Sequence, residues 1–393
     1  MDLDAFLELL TPRGRRALAE AAELVGGDPV VAATTLRKTY DAGLTSAALA
    51  QAMLRERARA KFGDDAAVMY FTPHGLEQST RREVADHRAH RLAAQGTRVV
   101  DACCGVGGDL VALARAGCVV DAVDTDPLTV AVARANADAL GVGDRADVRT
   151  ADAAGVDPSG YDVLFADPAR RTARGRTFDP GAYSPPWPVV LDLVARSAAA
   201  CLKVAPGIPY EYIPEGAEAE WVSYKGEVKE VALWTGALAG GERLVRRATL
   251  LPSGATLTSS GTERAPVGPI GRYVYEPDGA AVRAHLVAEV AAMVGGRLAD
   301  PMIAYITGDE QVDTVWAARY EVEEVMPFSL KRLRTALRAR QVGNITIKKR
   351  GSAVDIERLR TDLRLSGRNS AVVILTRIMD KPSVLICAPI RPA

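Results

Sequence analysis

Over the first 95 residues apolar side chains recur every three or four positions, in DAFLELL, LAEAAELV, TSAALAQAML and VADHRAHRLA. That spacing predicts amphipathic helices. Gly26-Gly27-Asp28-Pro29 interrupts them, because glycine and proline are poor helix-interior residues. From Arg98 the pattern changes. RVVDAC, CVVDAVD, ADVRTAD, YDVLFAD and CLKVAP are short, nearly continuous apolar runs, with the helical segments LVALARAG and LTVAVARANADAL between the first three. Continuous apolar runs fit strands buried on both faces, and alternation with helices implies parallel strands joined by right-handed crossovers.

The alternation then stops. AEWVSYK and VKEVALWTG follow one another without a helix, and RRATLLP comes next. A repeated βαβ dinucleotide fold does not end in such a hairpin. Residues 256–269, TLTSSGTERAPVGP, form a polar, Gly/Pro-bearing linker. Beyond it, strand-like RYVYEP, MIAYIT, NITIKKR, AVVILTRI and SVLICAP surround two helical stretches, AAVRAHLVAEVAAMV and the basic SLKRLRTALRAR. The expected organisation is a helical region over 1–95, a doubly wound α/β domain over 96–256 and a smaller α+β domain over 265–393.

Composition adds little until charge is placed along the chain. The 393 residues are 48% hydrophobic and 25% charged, with mean hydropathy +0.01, the values of an ordinary globular chain. No apolar run reaches 18 residues and the chain begins Met1-Asp2-Leu3-Asp4, so neither a membrane span nor a secretory leader is expected and the cytoplasm is the default. Five cysteines without a CxxC pair argue against a disulfide framework or a zinc knuckle, and no metal is expected. Net charge is zero, yet residues 331–393 hold 15 Lys/Arg against 4 Asp/Glu, and 331–350 hold eight basic residues and no acid. A lopsided tail of this kind suggests a polyanion partner.

The chemistry concentrates at strand ends. Gly105, Gly107 and Gly108 lie between the first strand and its helix, where glycine permits positive φ and lets a ligand approach bare backbone. A dinucleotide fingerprint needs a small sixth residue, and here it is Leu110. Asp101 and Asp109 flank the turn, and carboxylates repel a pyrophosphate but suit a ligand bearing an ammonium and a sulfonium. Asp124 ends the second strand, 23 residues after Asp101, where an acid can accept hydrogen bonds from ribose hydroxyls. Asp152 follows the third run and Asp167-Pro168 the fourth, at the carboxyl edge where open α/β sheets bind ligands.

In this order and spacing, DACCGVGGD, AVDTDP, TADA and FADPAR resemble motifs I to IV of the class I S-adenosylmethionine-dependent methyltransferases. The resemblance covers roughly residues 65–250. FTPHGLEQST before the first motif, DPARR at the fourth and the basic α+β domain are similar to bacterial methyltransferases with a THUMP-like domain. It implies a Rossmann-like seven-stranded sheet with S-adenosyl-L-methionine as cofactor, and RNA as the expected substrate. Asp101, Gly105 and Gly107 would hold the methionine moiety, Asp124 the ribose, and Asp152 with Ala153 the adenine, with Cys103 and Thr125 also at cofactor-contacting positions. Asp167 and Pro168 would border the methyl-transfer centre. The chain departs from the D/N-P-P-Y/F/W motif of amino-group nucleic-acid methyltransferases, whose aromatic clamps a flipped base. Here Arg170 stands in the fourth position, which argues against base amino-group methylation.

Arg170 and Arg171, in a loop of four arginines, and Lys348, Lys349 and Arg350 are the expected contacts to nucleic-acid phosphates. On the basic helix Lys331, Arg334 and Arg338 share one face. Ser184-Pro185-Pro186-Trp187 reads as a helix-entry turn, and the alternative is a base-facing loop. Cys103-Cys104 reads as packing, and His87 and His90, beside Arg88 and Arg91, as an exposed helix face. His74 reads as a site-lining candidate. Two other functions fit: a methyltransferase for a small molecule or protein, and a non-catalytic RNA-binding protein on the same scaffold.

Overall fold

The computed structural model describes residues 1–393 except 94–97, 170, 173–174, 177–180, 182, 242–244, 262–263 and 389–393. The chain forms two compact units, Met1–Val222 with Lys229–Val245, and Ser223–Val228 with Arg246–Ala393.

In the first unit, helices α1 (Leu3–Leu9), α2 (Pro12–Glu23), α3 (Pro29–Leu36) and α4 (Ala42–Phe62) each start at a residue that accepts a backbone N–H: Asp2, Thr11, Asp28 and Asp41. Pro12 and Pro29 occupy first helical positions, where a missing N–H costs nothing. Their apolar faces do not close on themselves. Phe6, Leu9, Leu44 and Phe62 share one core with Val106, Val132 and Ala135 of the α/β part. The helical region expected over 1–95 therefore packs on the sheet, within one compact unit. Two further helices, α5 (Pro73–Gln78) and α6 (Arg82–Ala93), lead into it.

The sheet begins with β1 (Arg98–Asp101), α7 (Gly108–Arg115), β2 (Val119–Asp124), α8 (Pro127–Ala139) and β3 (Ala146–Thr150). It continues with β4 (Val163–Ala166), α9 (Trp187–Ala195), β5 (Ala199–Val204), β6 (Glu218–Tyr224) and β7 (Glu227–Gly236). These seven strands take the order β6-β7-β5-β4-β1-β2-β3. β1 to β5 run parallel to one another, and β7 runs antiparallel to β5, with Trp234 opposite Cys201. The expected doubly wound fold is present, and the hairpin places its second strand inward. Because β1 lies between β2 and β4, the chain reverses direction there and leaves a crevice at the carboxyl ends of β1 and β4.

The second unit opens with a hairpin of β8 (Val245–Leu251) and β9 (Ala255–Thr258), so it starts ahead of the linker expected to precede it. Its sheet contains β10 (Tyr273–Pro277), β11 (Arg297–Asp300), β12 (Ile303–Gly308), β13 (Ala317–Pro327), β14 (Val342–Lys349), β15 (Asn369–Ile378) and β16 (Lys381–Cys387). Their order is β11-β12-β10-β13-β16-β15-β14. Helices α10 (Gly279–Arg283) and α11 (Val287–Met293) follow β10. Alternate residues of β15 serve two cores. Val373 and Leu375 pack with Leu333 and Leu337 of α12 (Leu330–Ala339) and Leu359 and Leu363 of α13 (Ile356–Leu363), while Val372 and Ile374 pack with Tyr305 and Tyr320. Among the described residues no helix is long and apolar enough to cross a membrane.

Candidate active site

The glycine turn after β1 is tied to β2 by its backbone. Cys104 N–H donates to Val123 O (3.0 Å), and Gly105 N–H to Asp124 Oδ2 (3.1 Å). Gly105 and Gly107 have φ of 53° and 83°, which side chains avoid. A Cβ on Gly107 would lie 3.3 Å from Cα and Cβ of Ala133 on α8, whereas one on Gly105 would meet open space. Gly107 thus sets helix packing and Gly105 leaves room.

The acids divide into different environments. Asp101 is fully buried, its Oδ1 accepts Cys103 N–H (3.1 Å), and its Oδ2 has no hydrogen-bond partner among the described residues. Burial, then the charges of Asp109, Asp167 and Asp124, push its carboxyl well above the usual range. Asp124 accepts Gly105 N–H and Asp126 N–H (3.0 Å), and burial raises it too. Asp152 is exposed and accepts Ala154 N–H (2.8 Å).

Asp109 behaves otherwise. It accepts the Thr80 hydroxyl (3.0 Å) and pairs with Arg88, which is 1% exposed and also pairs with buried Glu230. Burial raises the Asp109 carboxyl, but Arg88 and then Lys203 outweigh it and hold the group below its ordinary value. Asp109 is therefore an internally compensated charge rather than a free acid for a cationic ligand. Of the α6 face expected to be exposed, His90 is exposed, but His87 and Arg91 are half-buried and Arg88 is fully buried. Arg91 reaches Glu218 Oε1 (2.6 Å) and lies over the Trp234 ring (4.3 Å), and His87 Nε2 shares a hydrogen bond with Glu220 Oε1 (2.8 Å). Three carboxylates placed inward on β6 and β7 demand cationic partners, and α6 supplies them.

A cavity of about 510 Å³ opens at the carboxyl edge of the sheet. Cys103, Gly105, Asp124, Thr125, Asp152, Ala153, Asp167 and Pro168, all expected site residues, line it. Asp101 and Gly107 stand behind the turn and support it. One wall is Gly75 and Glu77–Thr80. Lys61 Nζ fixes that wall by donating to the carbonyls of Leu76 (2.7 Å), Glu77 (2.8 Å) and Ser79 (2.8 Å). Buried Asn136 on α8 ties the preceding backbone to the turn: it donates to Tyr70 O (3.0 Å) and Val106 O (2.8 Å) and accepts from Tyr70 N–H (2.6 Å). His74 is exposed and absent from the lining, though the residues just after it form the wall.

The opposite wall joins two separate stretches. Ala169 and Ser184 exchange backbone hydrogen bonds (2.8 and 3.0 Å), which brings Ser184, Pro185 and Pro186 beside Asp167 and Pro168. The SPPW stretch is thus both a helix-entry turn and a cavity wall, with Trp187 buried and edge-on to Tyr183. Lys203 completes this wall. It is 5% exposed on β5 and forms an ion pair with Asp167.

Arg170 lies outside the described residues, as does the Arg171 side chain, although the Arg171 backbone pairs with Arg176. Lys348, Lys349 and Arg350 belong to the second unit and are engaged within it. Lys348 pairs with Glu276 (2.9 Å), Lys349 donates to Val354 O (3.1 Å), and Arg350 donates to Ala304 O (2.8 Å). Arg334 and Arg338 cap carbonyls of Asp362 and Arg364 at the end of α13. Among the described residues no group of three His, Cys, Asp or Glu could hold a metal. Burial raises the thiols of Cys103, Cys104 and Cys201, which removes thiolate character from all three.

Sequence reasoning missed Lys203, Arg88, Asn136 and the 75–80 wall. Lys203 did leave a signal, as the lone charge in the apolar run CLKVAP.

A fold with its cavity at the reversal point, a glycine turn and acids on successive strand ends defines a nucleoside-binding α/β enzyme. Comparison with known proteins narrows this. The family described as RNA cap guanine-N2 methyltransferase matches residues 96–188, THUMP domain-like matches 317–389, and a domain of unknown function matches 2–58. Two uncharacterized S-adenosylmethionine-dependent methyltransferases of Mycobacterium tuberculosis, from strains CDC 1551 / Oshkosh and ATCC 25618 / H37Rv, are each 37% identical over 353 residues. The match covers 86% of this chain and 96% of each relative. A candidate methyltransferase of Porphyromonas gingivalis W83 has a crystal structure that shares the fold, with TM-score 0.77, 21% identity, 96% of this chain and 99% of that one covered. The chain belongs to the S-adenosylmethionine-dependent methyltransferases.

Proposed function

We propose that this enzyme methylates a base of RNA, in tRNA or rRNA, in the cytoplasm. The observation that carries the site assignment is the single cavity joining the glycine turn, Asp124, Asp152 and Asp167-Pro168. The residues suit S-adenosyl-L-methionine: Asp101 Oδ2 is a buried acceptor without a partner, and Gly105 leaves open space. Asp101, Cys103, Gly105 and Gly107 are assigned to the methionine moiety, Asp124 and Thr125 to the ribose, and Asp152 with Ala153 to the adenine. When bound, S-adenosylmethionine supplies a methyl group whose carbon–sulfur bond breaks, the pair staying on sulfur, as the acceptor's lone pair bonds to carbon.

The protein's task is alignment and exclusion of water, worth roughly 7–11 kcal/mol in favourable cases. Asp167 and the Pro168 backbone border the acceptor, with Asp167 accepting a hydrogen bond from it. RNA is supported by the match to the RNA cap guanine-N2 methyltransferase description, the THUMP-like match and the basic C-terminal segment. Arg170, Arg171, Lys348, Lys349 and Arg350 are assigned to phosphate contacts, Lys349 as the exposed member of its group.

The test is tritium transfer from labelled S-adenosylmethionine into total RNA or into protein extract, each from a strain lacking the gene. Label in RNA, lost steeply with added salt, is expected. Label confined to protein ends the RNA reading. Absence of S-adenosylhomocysteine binding by calorimetry would leave only a scaffold that binds RNA.

A further inference from the structure

Five carboxylates line the cavity among the described residues, those of Glu77, Asp109, Asp124, Asp152 and Asp167, and Lys203 is the one cation among the described lining residues. That cation comes from the interior of a strand whose six residues are all buried. Burying an ammonium is expensive unless a partner compensates it, so the position calls for an explanation. The register provides one. β4 and β5 pair in parallel with Phe165 level with Cys201 and Ala166 with Leu202, and continuing by one residue brings Asp167 level with Lys203. Their side chains meet in an ion pair at the mouth of the crevice, the carboxylate 24% exposed and the ammonium side chain 7% exposed.

We propose that Lys203 is a positioning residue for methyl transfer: it holds the Asp167 carboxylate in one orientation, ready to accept a hydrogen bond from a neutral N–H acceptor and to take the proton that nitrogen sheds, for release to solvent, once the methyl group has bonded to it. The proposal rests on the methyltransferase site assigned above. Asp167 has few other means of orientation, because it follows the last residue of β4 and its neighbour Pro168 has no N–H to donate. An ammonium on a rigid central strand aims the carboxylate more firmly than a loop residue can. The same pairing constrains the acceptor. With Lys203 committed to Asp167, the wall has no free cation among the described residues to receive an anionic group, whereas a carboxylate fixed at its edge suits a ring N–H. Lys203 also acts beyond the cavity, since its charge lowers the proton affinity of Asp109 and of Glu230.

The experiment compares wild type, Lys203→Met, Lys203→Arg, Asp167→Asn and the Met/Asn double variant. Tritium transfer is measured into total RNA from a strain lacking the gene, or into protein extract if that is where wild type places the label. Calorimetry with S-adenosylhomocysteine and thermal melting accompany each variant. Lys203→Met is expected to lower kcat about a hundred-fold, the scale of a small misplacement of a reacting group. Its KM for the acceptor and its S-adenosylhomocysteine affinity should stay within about threefold of wild type. Lys203→Arg should restore most of the rate, and Lys203→Met should add little to Asp167→Asn, because one acts through the other.

Full additivity in the double variant overturns the proposal, as does a rise in acceptor KM with kcat unchanged, which would make Lys203 a direct substrate contact. Loss of S-adenosylhomocysteine binding in a folded Lys203→Met overturns it too. If Lys203→Met does not fold, Lys203→Arg and Lys203→Gln carry the test: Arg is expected near wild-type kcat and Gln far below, and equal rates refute the role. Wild-type label in protein alone would remove the RNA reading while leaving the Lys203–Asp167 coupling measurable.

Discussion

Asn136→Ala tests how the cavity is held. Asn136 is fully buried, accepts the Tyr70 N–H and donates to Tyr70 O and Val106 O, joining segments 66 and 30 residues away. Each hydrogen bond contributes about 1 kcal/mol net, and truncation strands three backbone groups in the interior, each at about 1–3 kcal/mol. The expected loss is about 3–5 kcal/mol, read as a lower urea midpoint at constant slope by tryptophan fluorescence. Val106 belongs to the glycine turn and Tyr70 precedes the 75–80 wall, so S-adenosylhomocysteine affinity should fall about tenfold in conditions where the variant remains folded. Asn136→Leu separates polar pairing from packing: it refills the space but leaves the same three groups unpaired, so it should recover little. A loss under about 1 kcal/mol, or a Leu variant close to wild type, would refute the reasoning and assign the segment's order to burial of Met69, Tyr70 and Phe71.

Three further outcomes are expected. Asp101 keeps its proton to a raised pH in the folded protein, so its contribution to stability is complete below the ordinary Asp value of about 3.9 and is lost as pH rises through the raised folded value. A ligand ammonium favours the charged form, so S-adenosylhomocysteine affinity should rise with pH over that window and binding should release a proton, seen by calorimetry in two buffers; an Asp101→Asn variant with the same pH dependence would count against this. Gly107→Ala and Gly105→Ala should each lose about 1–2 kcal/mol to left-handed backbone strain in thermal melts. Only Gly107→Ala meets Ala133, so it should be the less stable of the two, while Gly105→Ala intrudes on ligand space and should weaken S-adenosylhomocysteine binding more. Arg88→Met strands Asp109 and Glu230 and should cost about 3–5 kcal/mol in urea, with Glu230→Gln added to it recovering part; an Arg88→Met protein as stable as wild type would show that the pair contributes nothing.

Local features of this protein are legible in its sequence because local physics produces them. Strand runs, crossover helices and the turn glycines depend on residues within a few positions of one another, and an acid just past a strand is at the carboxyl edge whatever surrounds it. Asp124, Asp152 and Asp167 could therefore be placed before any coordinates, and they do line one cavity. Pairings across the fold were not legible. A lysine in CLKVAP does not reveal which carboxylate it meets, since that depends on the β4–β5 register. Arg88 reads as surface charge until β6 and β7 place buried glutamates against α6, and Ser184 is 15 residues from Ala169 until two backbone hydrogen bonds join them. The N-terminal helices likewise share the sheet's compact unit because Val106, Val132 and Ala135 complete their apolar face. Sequence alone determined the strand ends and the acids on them; tertiary structure decided which of those acids are already neutralised, because a buried charge is compensated by whichever opposite charge the packing brings within reach.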